Sequence, residues 1–465
     1  MKVGRKDWLE FVRDRRLLAL AALGLLIATA ALATAWLRVA EYEADRNAAV
    51  AQEQQTWNNQ GARNPHSAAH FAEWAMRPLT AMALLEPGVT PYAGSAIWME
   101  AHNWNSARAR PVEDQANTID LGAFSIAWVL QYLVPLIIFV LAAGLVARER
   151  ERGTLRLLLA NGLPPGRLLR GKLGSLLRFS ALLALPVLIV AVAAALIAGI
   201  GNPVALALWV LSYTVYIAVI AAFGLAVSAL ARTQAQALLA LTGLWLAALV
   251  LVPRAGAALA EAGAPTPAPD AFWANYRLER ERRPQVFGRD AEAFKAATLR
   301  QYRVGRVEDL PVSLGGLQLD ADERIGDEVM DRLYAGLNAT YAAQRGRLRI
   351  SSILSPLPAM QNLSMTFAGT SMPDQIEFQR QAEMHRRHQV RFLNMDMIRN
   401  AGAQDFDYLA GEELWRRTPR FTYQPPSTGD MLARALPDAL ILLGWLAAAI
   451  LLLAFAARRL AREVR

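Results

Sequence analysis

The sequence predicts an all-α polytopic membrane protein with six transmembrane helices, both termini in the cytoplasm and a mostly helical external domain. Three observations support this prediction: six long apolar segments, basic residues clustered in alternate connecting segments, and helical spacing of apolar residues in the longest polar segment. Of the 465 residues, 54% are hydrophobic, 19% are charged and none is cysteine. A soluble chain usually carries about 25% charged residues, so this composition excludes a soluble multi-domain enzyme. The absence of cysteine excludes a disulfide-built secreted protein.

Six segments are long and apolar enough to cross a hydrocarbon core of about 30 Å, which takes about 20 helical residues. They are residues 17–37, 123–147, 176–200, 203–231, 235–252 and 438–457. The first apolar run is about twice as long as the 7–15 residues of a signal-peptide core. It also follows a polar head of sixteen residues, so we expect it to be retained as a helix.

Lysine and arginine near the span ends predict the orientation. Basic residues are concentrated in the amphipathic head 1–16, in the loop 148–175 and in the tail 458–465, which six spans place on one side of the membrane. That side is predicted to be the cytoplasm. The first external loop (38–122), in which acids outnumber arginines, and the external domain (253–434) then lie on the other side. The net charge of +9 therefore indicates orientation rather than a nucleic-acid partner.

The external domain is predicted to be mostly helical. Residues 270–303 are rich in helix formers, residues 321–349 carry apolar side chains at a spacing of four, and residues 373–399 predict a further long helix. Residues 304–319 are the candidate for short extended pieces. Since no disulfide can form, the domain must be held by apolar contacts, and we expect the first external loop to pack against it.

The loop between the second and third spans has an ordered pattern. Its first part is the charged run ERERGTLR at 149–156, which leads into a short amphipathic helix. The turn NGLPPG at 161–166 then precedes a basic helix and the third span. A solvated charged turn would explain the arginines, but it would not explain the order of Glu, Gly and Leu before a Pro-Pro-Gly break. We interpret the segment as a docking element at the membrane surface, apolar on one face and charged on the other.

The run at 149–156, the turn, and the sequence GKL at 171–173 before a span resemble the membrane subunit of a type-2 ABC exporter. In that family this loop is the coupling helix, which sits in a cleft of a separate cytoplasmic ATPase. The six-span plan and the amphipathic head agree with the resemblance, and the two large external insertions resemble a bacterial subgroup of permeases. The resemblance implies a multi-pass protein of the bacterial inner membrane with large periplasmic or extracellular segments.

The resemblance also implies which residues couple to the ATPase. Arginines of the loop would make ionic contacts with the partner, and Leu155 and Leu158 would fill its cleft. The expected coupling residues are Arg148, Glu149, Arg150, Glu151, Arg152, Gly153, Leu155, Arg156 and Leu158.

A near match to a nucleotide-binding motif lies in the same loop. Residues 166–172 fit G-x-x-x-x-G-K, but Leu173 stands where a phosphate-binding loop needs a Ser or Thr ligand for Mg²⁺. Two prolines precede the motif in place of a buried strand. We therefore predict that this chain is not itself an enzyme, that it holds no cofactor, and that ATP and Mg²⁺ bind to the partner ATPase.

A few polar residues lie inside the predicted spans. Gln131, Tyr132, Tyr213 and Tyr216 either line a translocation path or form hydrogen bonds between helices, and the sequence leaves both interpretations open.

Histidines in the first external loop have a spacing that permits a metal site. His66 and His70 stand one helical turn apart, and His102 follows in the same loop. Such spacing can place two ligands on one helix face. Ordinary hydrogen bonding that fixes the fold of the loop is the favoured interpretation, so no metal is predicted and the three histidines are weak candidates.

Two functions are compatible with these features. The favoured one is the permease subunit of an ATP-driven exporter, in which two permease copies, or this chain and a sister permease, form one path above docked ATPase subunits. The alternative is mechanotransmission, in which ATP hydrolysis moves the external domain to act on a periplasmic partner. Membrane lipid is an expected partner of the spans. A membrane enzyme with an external active site has the least support, because no catalytic constellation is visible.

Overall fold

The computed structural model describes residues 2–13, 15–71, 73–108, 124–199 and 201–462. Several predicted features lie partly outside the described residues. These are residues 72 and 109–122 of the first external loop, the span ends at 123 and 200, and residues 463–465 of the tail.

The described chain is dominated by α-helices. The N-terminal half contains α1 (Lys2–Arg13), α2 (Arg15–Asn58), α3 (Pro65–Ala69), α4 (Thr90–Ala93), α5 (Ile126–Trp128), α6 (Val134–Leu145), α7 (Ala147–Glu151), α8 (Thr154–Ala160), α9 (Pro165–Ile197) and α10 (Pro203–Leu230). The C-terminal half contains α11 (Gln234–Leu246), α12 (Val252–Gly263), α13 (Pro269–Glu281), α14 (Ala291–Tyr302), α15 (Leu314–Ser351), α16 (Leu357–Ala368), α17 (Met372–Asn400), α18 (Glu412–Arg417) and α19 (Thr428–Arg462). Single π-helical turns join α5 to α6 and α11 to α12.

Six helical stretches in the described residues are long and apolar enough to cross a membrane, which confirms the predicted number of spans. They are Leu18–Asn58, Ile126–Glu151, Pro165–Ile197, Pro203–Leu230, Gln234–Gly263 and Thr428–Arg462. These helices are longer than the apolar segments that predicted them. The helix α2 continues to Asn58, so the start of the predicted first external loop is an extension of the first helix.

Capping residues define the tight turns between the central spans. The side chain of Asn202 accepts hydrogen bonds from two backbone amides in the first turn of α10, and Pro203 occupies the first helical position. The side chain of Thr233 caps α11 by accepting a hydrogen bond from the backbone amide of Gln236. Both caps satisfy backbone donors that have no partner inside the helix, so each helix begins sharply after a turn.

The interior of the bundle is centred on α10, which packs against α6, α16 and α19. A small residue permits the close approach of α6 and α10. A Cβ atom on Gly224 would lie 2.9 Å from Cβ of Ala142 and 3.1 Å from Cδ1 of Phe139. Small residues allow helix backbones to approach closely in a membrane, where packing rather than hydrophobic transfer drives association.

The helices run between two distinct ends of the bundle. Helix α9 has 33 residues, about 50 Å at 1.5 Å per residue, and leads from the segment 147–164 to the turn at Asn202. Asn202 Nδ2 donates to Thr428 Oγ1 at 3.1 Å, so α19 starts at this second end. We call the opposite end, which holds α1, residues 147–172 and the last turn of α19, the basic end.

The polar domain comprises residues 59–108 and 264–427, of which residues 81–86 and α16 pack into the core of the bundle. Its helices α15 and α17 pack against each other, and a small antiparallel sheet lies beside them. The sheet consists of β1 (Trp74–Met76), β2 (Ala96–Glu100) and β3 (Asn103–Trp104), in the order β1-β2-β3. The expectation of extended pieces at 304–319 is wrong, since this stretch holds a 3₁₀ turn and the start of α15.

The two parts of the polar domain pack together as predicted. Trp57, at the end of α2, donates from Nε1 to the carbonyl oxygen of Trp415 at 3.0 Å, and Trp415 Nε1 donates to the carbonyl oxygen of Gly61 at 2.8 Å. Arg63 and Ala410 pair as a short β-bridge. Buried apolar residues of α3, α17 and α18 surround the two tryptophans. The first external loop therefore shares one apolar core with the second polar segment, which confirms that expectation.

Candidate functional site

Residues 147–164, which we call the docking segment, contain all nine predicted coupling residues. The segment consists of α7 and α8 followed by the turn into α9, so the predicted short helix after the charged run is confirmed. Gly153 joins the two helices with φ of 75°, and Gly162 has φ of 79° in the turn. This left-handed region is accessible to glycine without steric cost, which explains why glycine stands at both bends. Pro165 then occupies the first turn of α9.

Hydrogen bonds clamp α7 to the turn between α10 and α11. The hydroxyl of Ser228 accepts from two backbone amides at the α6–α7 junction, at 3.1 and 3.2 Å. Arg148 Nε donates to Gln234 Oε1 at 2.9 Å, and the backbone amide of Gln234 donates to Glu151 Oε2 at 3.1 Å. Arg150 donates to two carbonyl oxygens at the C-terminal end of α10. The charged run therefore attaches the docking segment to the neighbouring spans, in addition to exposing charged side chains at the surface.

Lys172 joins three elements of the basic end. Its side chain is 1% exposed, and Nζ lies 3.0 Å from Glu149 Oε1 and 3.3 Å from Asp7 Oδ1. The stretch at 166–172 that resembles a phosphate-binding loop is the start of α9, and its lysine is held by these two carboxylates. The sequence analysis missed this role, because Lys172 stands among basic residues that the positive-inside rule already explains.

The burial of the leucines in α8 decides which of them a partner can reach. Leu155 is 3% exposed and Leu159 is 7% exposed, and both pack into the core of this chain. Leu158 is half-buried against the same core. Leu157, which the sequence analysis did not select, is 65% exposed. Leu155, expected to fill a partner's cleft, is therefore occupied by contacts within its own chain.

Two exposed arginines belong to the same segment as this exposed leucine. The side chains of Arg152 and Arg156 are exposed, and neither forms an ion pair with another described residue. The docking segment thus presents one exposed leucine and two exposed guanidinium groups. Such a surface complements a groove with an apolar floor and acidic rims.

The polar residues of the spans form a buried network. Gln131 Nε2 donates to Tyr213 Oη at 2.8 Å and to Glu86 Oε2 at 3.3 Å. Tyr213 Oη lies 3.0 Å from Ser364 Oγ, and Tyr216 Oη donates to the carbonyl oxygen of Gln131 at 3.1 Å. Glu86, which the sequence analysis did not select, is buried at this point, and its desolvation raises the pKa of the carboxyl.

Tyr132 lies at the edge of this network. Its hydroxyl accepts from Gln361 Nε2 at 3.1 Å, and its carbonyl oxygen accepts from Trp245 Nε1 at 3.0 Å. All four polar residues of the spans that the sequence analysis selected therefore bond between helices, and three of them are fully buried by this chain.

The three weak metal candidates come together in the polar domain. His66 Nε2 lies 3.3 Å from His70 Nε2 and 3.1 Å from His102 Nε2. Burial and the neighbouring His102 lower the pKa of His66 to about 4. Burial also lowers the pKa of His70, with a further contribution from His102. For His102, burial opposes the charged form, but the hydrogen bond and charge of Glu323 outweigh it and raise the pKa.

A buried charge network supports this histidine cluster. Arg386 is 5% exposed and lies 3.2 Å from Glu323, 2.7 Å from Glu383 and 2.5 Å from Asp327. Burial would raise the pKa of Glu323, but His102 and Arg386 outweigh it and lower the pKa to about 2. The network draws its members from α15 and α17 and from the β2–β3 turn.

Comparison with known proteins agrees with this architecture. The family described as ABC-2 family transporter protein matches residues 1–463. No curated protein matches the chain in sequence. Since the family match covers almost the entire chain, including the six spans and the docking segment, the chain belongs to the ABC-2 family of transporter proteins and is a membrane-embedded permease component of an ABC transporter, distinct from the ATPase.

Proposed function

We propose that this chain is the permease subunit of an ATP-driven exporter of the bacterial inner membrane, and that its docking segment couples the spans to a separate cytoplasmic ATPase. One observation carries the proposal: the docking segment is bonded to α9, α10 and α11, and through Lys172 of α9 to α1, while Arg152, Arg156 and Leu157 remain exposed. Firm attachment on one side and a free surface on the other is what a coupling element requires.

The placement of charge supports a cytoplasmic basic end. The arginines of the docking segment, the start of α9 and the last turn of α19 belong to the same end of the bundle. Lysine and arginine in short connections are enriched on the cytoplasmic side. With this orientation the polar domain lies on the periplasmic side, beyond the second end of the spans.

The attachment of the docking segment provides a route for movement. A displacement of α7 acts on the α10–α11 turn through Ser228 and Gln234, and it acts on α9 and α1 through Lys172. ATP-driven closure of two ATPase subunits would therefore shift several spans together. Alternating access then follows as a change in population between inward-facing and outward-facing arrangements.

A second permease copy, or a sister permease, would complete the translocation path. Gln131, Tyr213 and Tyr216 are buried inside this chain, so they do not offer an open path on their own. Only 17% of the apolar windows of α2 and of α19 is buried by the chain. These faces are available to lipid and to a partner permease.

Leu157→Asp tests the coupling proposal. The chain is co-expressed with the ATPase encoded beside it, and complex formation and ATP hydrolysis are measured in nanodiscs. A carboxylate in an apolar cleft lacks a partner, so we expect loss of the complex or at least a tenfold loss of permease-dependent hydrolysis.

The matched control is Leu409→Asp, at a site of similar exposure (59% against 65%) in the polar domain. Leu409→Asp should leave the complex and its hydrolysis unchanged. Equal behaviour of the two variants would overturn the assignment of the docking segment.

Mechanotransmission remains the second candidate, and one observation favours it. Helix α2 has 44 residues, about 66 Å of unbroken helix, and leads from the basic end to Trp57 in the polar domain. A tilt of this helix would move the first part of the polar domain, which is bonded to the second part through Trp415. The candidate predicts ATP-dependent movement of the polar domain without passage of a substrate into sealed vesicles.

A further inference from the structure

The three histidines form a nearly equilateral arrangement that lies outside the proposed coupling machinery. The ring centroids of His66, His70 and His102 are 4.9, 4.9 and 5.2 Å apart. One ring nitrogen from each residue lies within 4.8 Å of the other two. His66 and His70 come from α3 and its C-terminal cap, whereas His102 comes from the turn between β2 and β3. The tertiary fold thus adds a third imidazole to the pair that the sequence places together.

The spacing of the nitrogens matches the coordination of a tetrahedral cation. Zinc binds histidine nitrogen at about 2.0–2.1 Å, which places tetrahedral ligand atoms about 3.3–3.4 Å apart. The Nε2 atom of His66 is 3.3 Å from that of His70 and 3.1 Å from that of His102. Two of the three nitrogen pairs therefore already have nearly this spacing, and the three ligand nitrogens all lie within 4.8 Å of one another.

The opposite ring nitrogens of His66 and His102 are engaged by oxygen acceptors. His102 Nδ1 lies 2.7 Å from Glu323 Oε1, and His66 Nδ1 lies 3.2 Å from Asn394 Oδ1. Proteins usually orient metal-binding histidines through such a second hydrogen bond to a carboxylate or amide oxygen. When the hydrogen of the neutral imidazole is on Nδ1, Nε2 of His66 has a single lone pair, which can accept one hydrogen bond. It makes two close contacts, and a cation at the centre accounts for both.

The backbone at His102 supports a role beyond the turn itself. Its φ is 65°, in the left-handed region that favours glycine or asparagine, and its backbone amide donates to Glu323 at 2.8 Å. A glycine would make the same backbone bond with less strain, but it would contribute no imidazole. Residues held in this region often mark functional positions.

We propose that His66, His70 and His102 bind a divalent transition cation of the Zn²⁺ class through three imidazole nitrogens, with the fourth coordination position open to solvent. His70 and His102 are exposed, so an ion reaches the site directly. Neutral imidazoles suit zinc and its neighbours better than Mg²⁺ or Ca²⁺, which prefer oxygen ligands. The bound ion joins α3 to the sheet in a domain that has no disulfides.

Zinc binding by the full-length protein tests this proposal directly. The protein is purified in detergent through an affinity tag without histidine, stripped with a chelator and titrated with Zn²⁺. Metal content and the visible absorption of a Co²⁺ replacement are then recorded. We expect one ion per chain, a tetrahedral Co²⁺ spectrum and an increase in Tm on addition of Zn²⁺.

His70→Ala and His388→Ala form the matched pair of variants. His70 is exposed and its polar contact is with His66, so its removal should leave the fold intact and weaken Zn²⁺ binding at least 100-fold. His388 is an exposed histidine of α17 outside the cluster, and its removal should change nothing. Glu323→Gln should weaken binding about 10–100-fold through His102.

Failure of the wild-type protein to bind Zn²⁺ would overturn the proposal. So would affinities within tenfold of each other for the His70→Ala and His388→Ala variants, because the ion would then be bound elsewhere. Neither result bears on the coupling function, since no step of this test involves the ATPase.

Discussion

Glu73 shows how a single buried carboxylate joins distant parts of the polar domain. Its oxygens lie 3.0 Å from His385 Nε2 and 3.0 Å from Arg420 Nη1, and one accepts the backbone amide of Phe421 at 2.7 Å. Burial would raise the pKa of Glu73, but these three hydrogen bonds outweigh it and lower the pKa. Because the folded pKa lies below the unfolded value, the bonds stabilise the fold above the unfolded pKa of about 4.3. This contribution is lost as the pH falls through the folded pKa.

Replacement of Glu73 tests this contribution. Glu73→Gln keeps the shape of the side chain and removes the charge, so we expect a loss of about 1–3 kcal/mol in the free energy of unfolding at pH 7. The difference in Tm from wild type should narrow at pH values below about 4.3, where the Glu73 carboxyl of the unfolded wild-type chain becomes protonated before that of the folded protein. A difference in Tm that stays constant from pH 7 to pH 3.5 would contradict the pKa shift.

Replacement of Gly224 by alanine adds one methyl group and tests how closely α6 and α10 pack. In Gly224→Ala the new Cβ would meet Ala142 and Phe139 at 2.9 and 3.1 Å, so we expect a destabilisation of about 1–3 kcal/mol. Gly243 in α11 has no atom within 4 Å of an added Cβ, and Gly243→Ala should be neutral or stabilising. Thermal unfolding of both variants in detergent makes the comparison, and equal Tm values would refute the close contact of α6 and α10.

At the scale of elements, α1 is attached to the bundle by apolar packing and by one buried charge cluster. The ring centroids of Phe11 and Phe179 are 5.1 Å apart. The ammonium group of Lys172 forms ion pairs with the carboxylates of Asp7 and Glu149. Lys172→Met removes the ammonium group that Asp7 and Glu149 share in a poorly solvated site, and breaking a buried ion pair typically costs about 3–5 kcal/mol. We therefore expect α1 to detach.

Hydrogen exchange of residues 6–13 measures this detachment. In the Lys172→Met variant, exchange should be at least tenfold faster, since each 1.4 kcal/mol corresponds to a factor of ten. Arg170 is exposed on α9, the helix that contains Lys172, so Arg170→Met is the control. This variant should leave the exchange rate of α1 unchanged. Unchanged protection of α1 in the Lys172→Met variant would show that the apolar contacts alone hold it.

The sequence predicts the spans well because a run of about twenty apolar residues without charge has few stable structures other than a membrane-spanning helix. It does not predict how far the helices extend: the polar end of α2, up to Asn58, has no apolar window to mark it. The sheet was missed because β1 has three residues and β3 has two, too few for an alternating pattern. The histidine cluster depends on His102, which only the tertiary fold brings to His66 and His70.

At the scale of the whole molecule, the polar domain is linked to the basic end by continuous helices. If mechanotransmission operates, spin labels on α3 and α14 should report ATP-dependent changes in distance in the assembled complex. The absence of cysteine allows paired labels to be introduced without background. Distances that do not respond to ATP, together with substrate accumulation in sealed vesicles, would favour transport alone.

Cysteine cross-linking tests directly whether the docking segment contacts the ATPase through Leu157 and the exposed Arg152 and Arg156. In the cysteine-free chain, Leu157→Cys and Leu409→Cys provide two exposed thiols, one at the basic end and one in the polar domain. With a thiol-to-amine cross-linker, we predict a covalent product with the ATPase for Leu157→Cys, with a yield that changes on addition of ATP, and none for Leu409→Cys. No product with Leu157→Cys, or equal products with both variants, would contradict the proposed coupling.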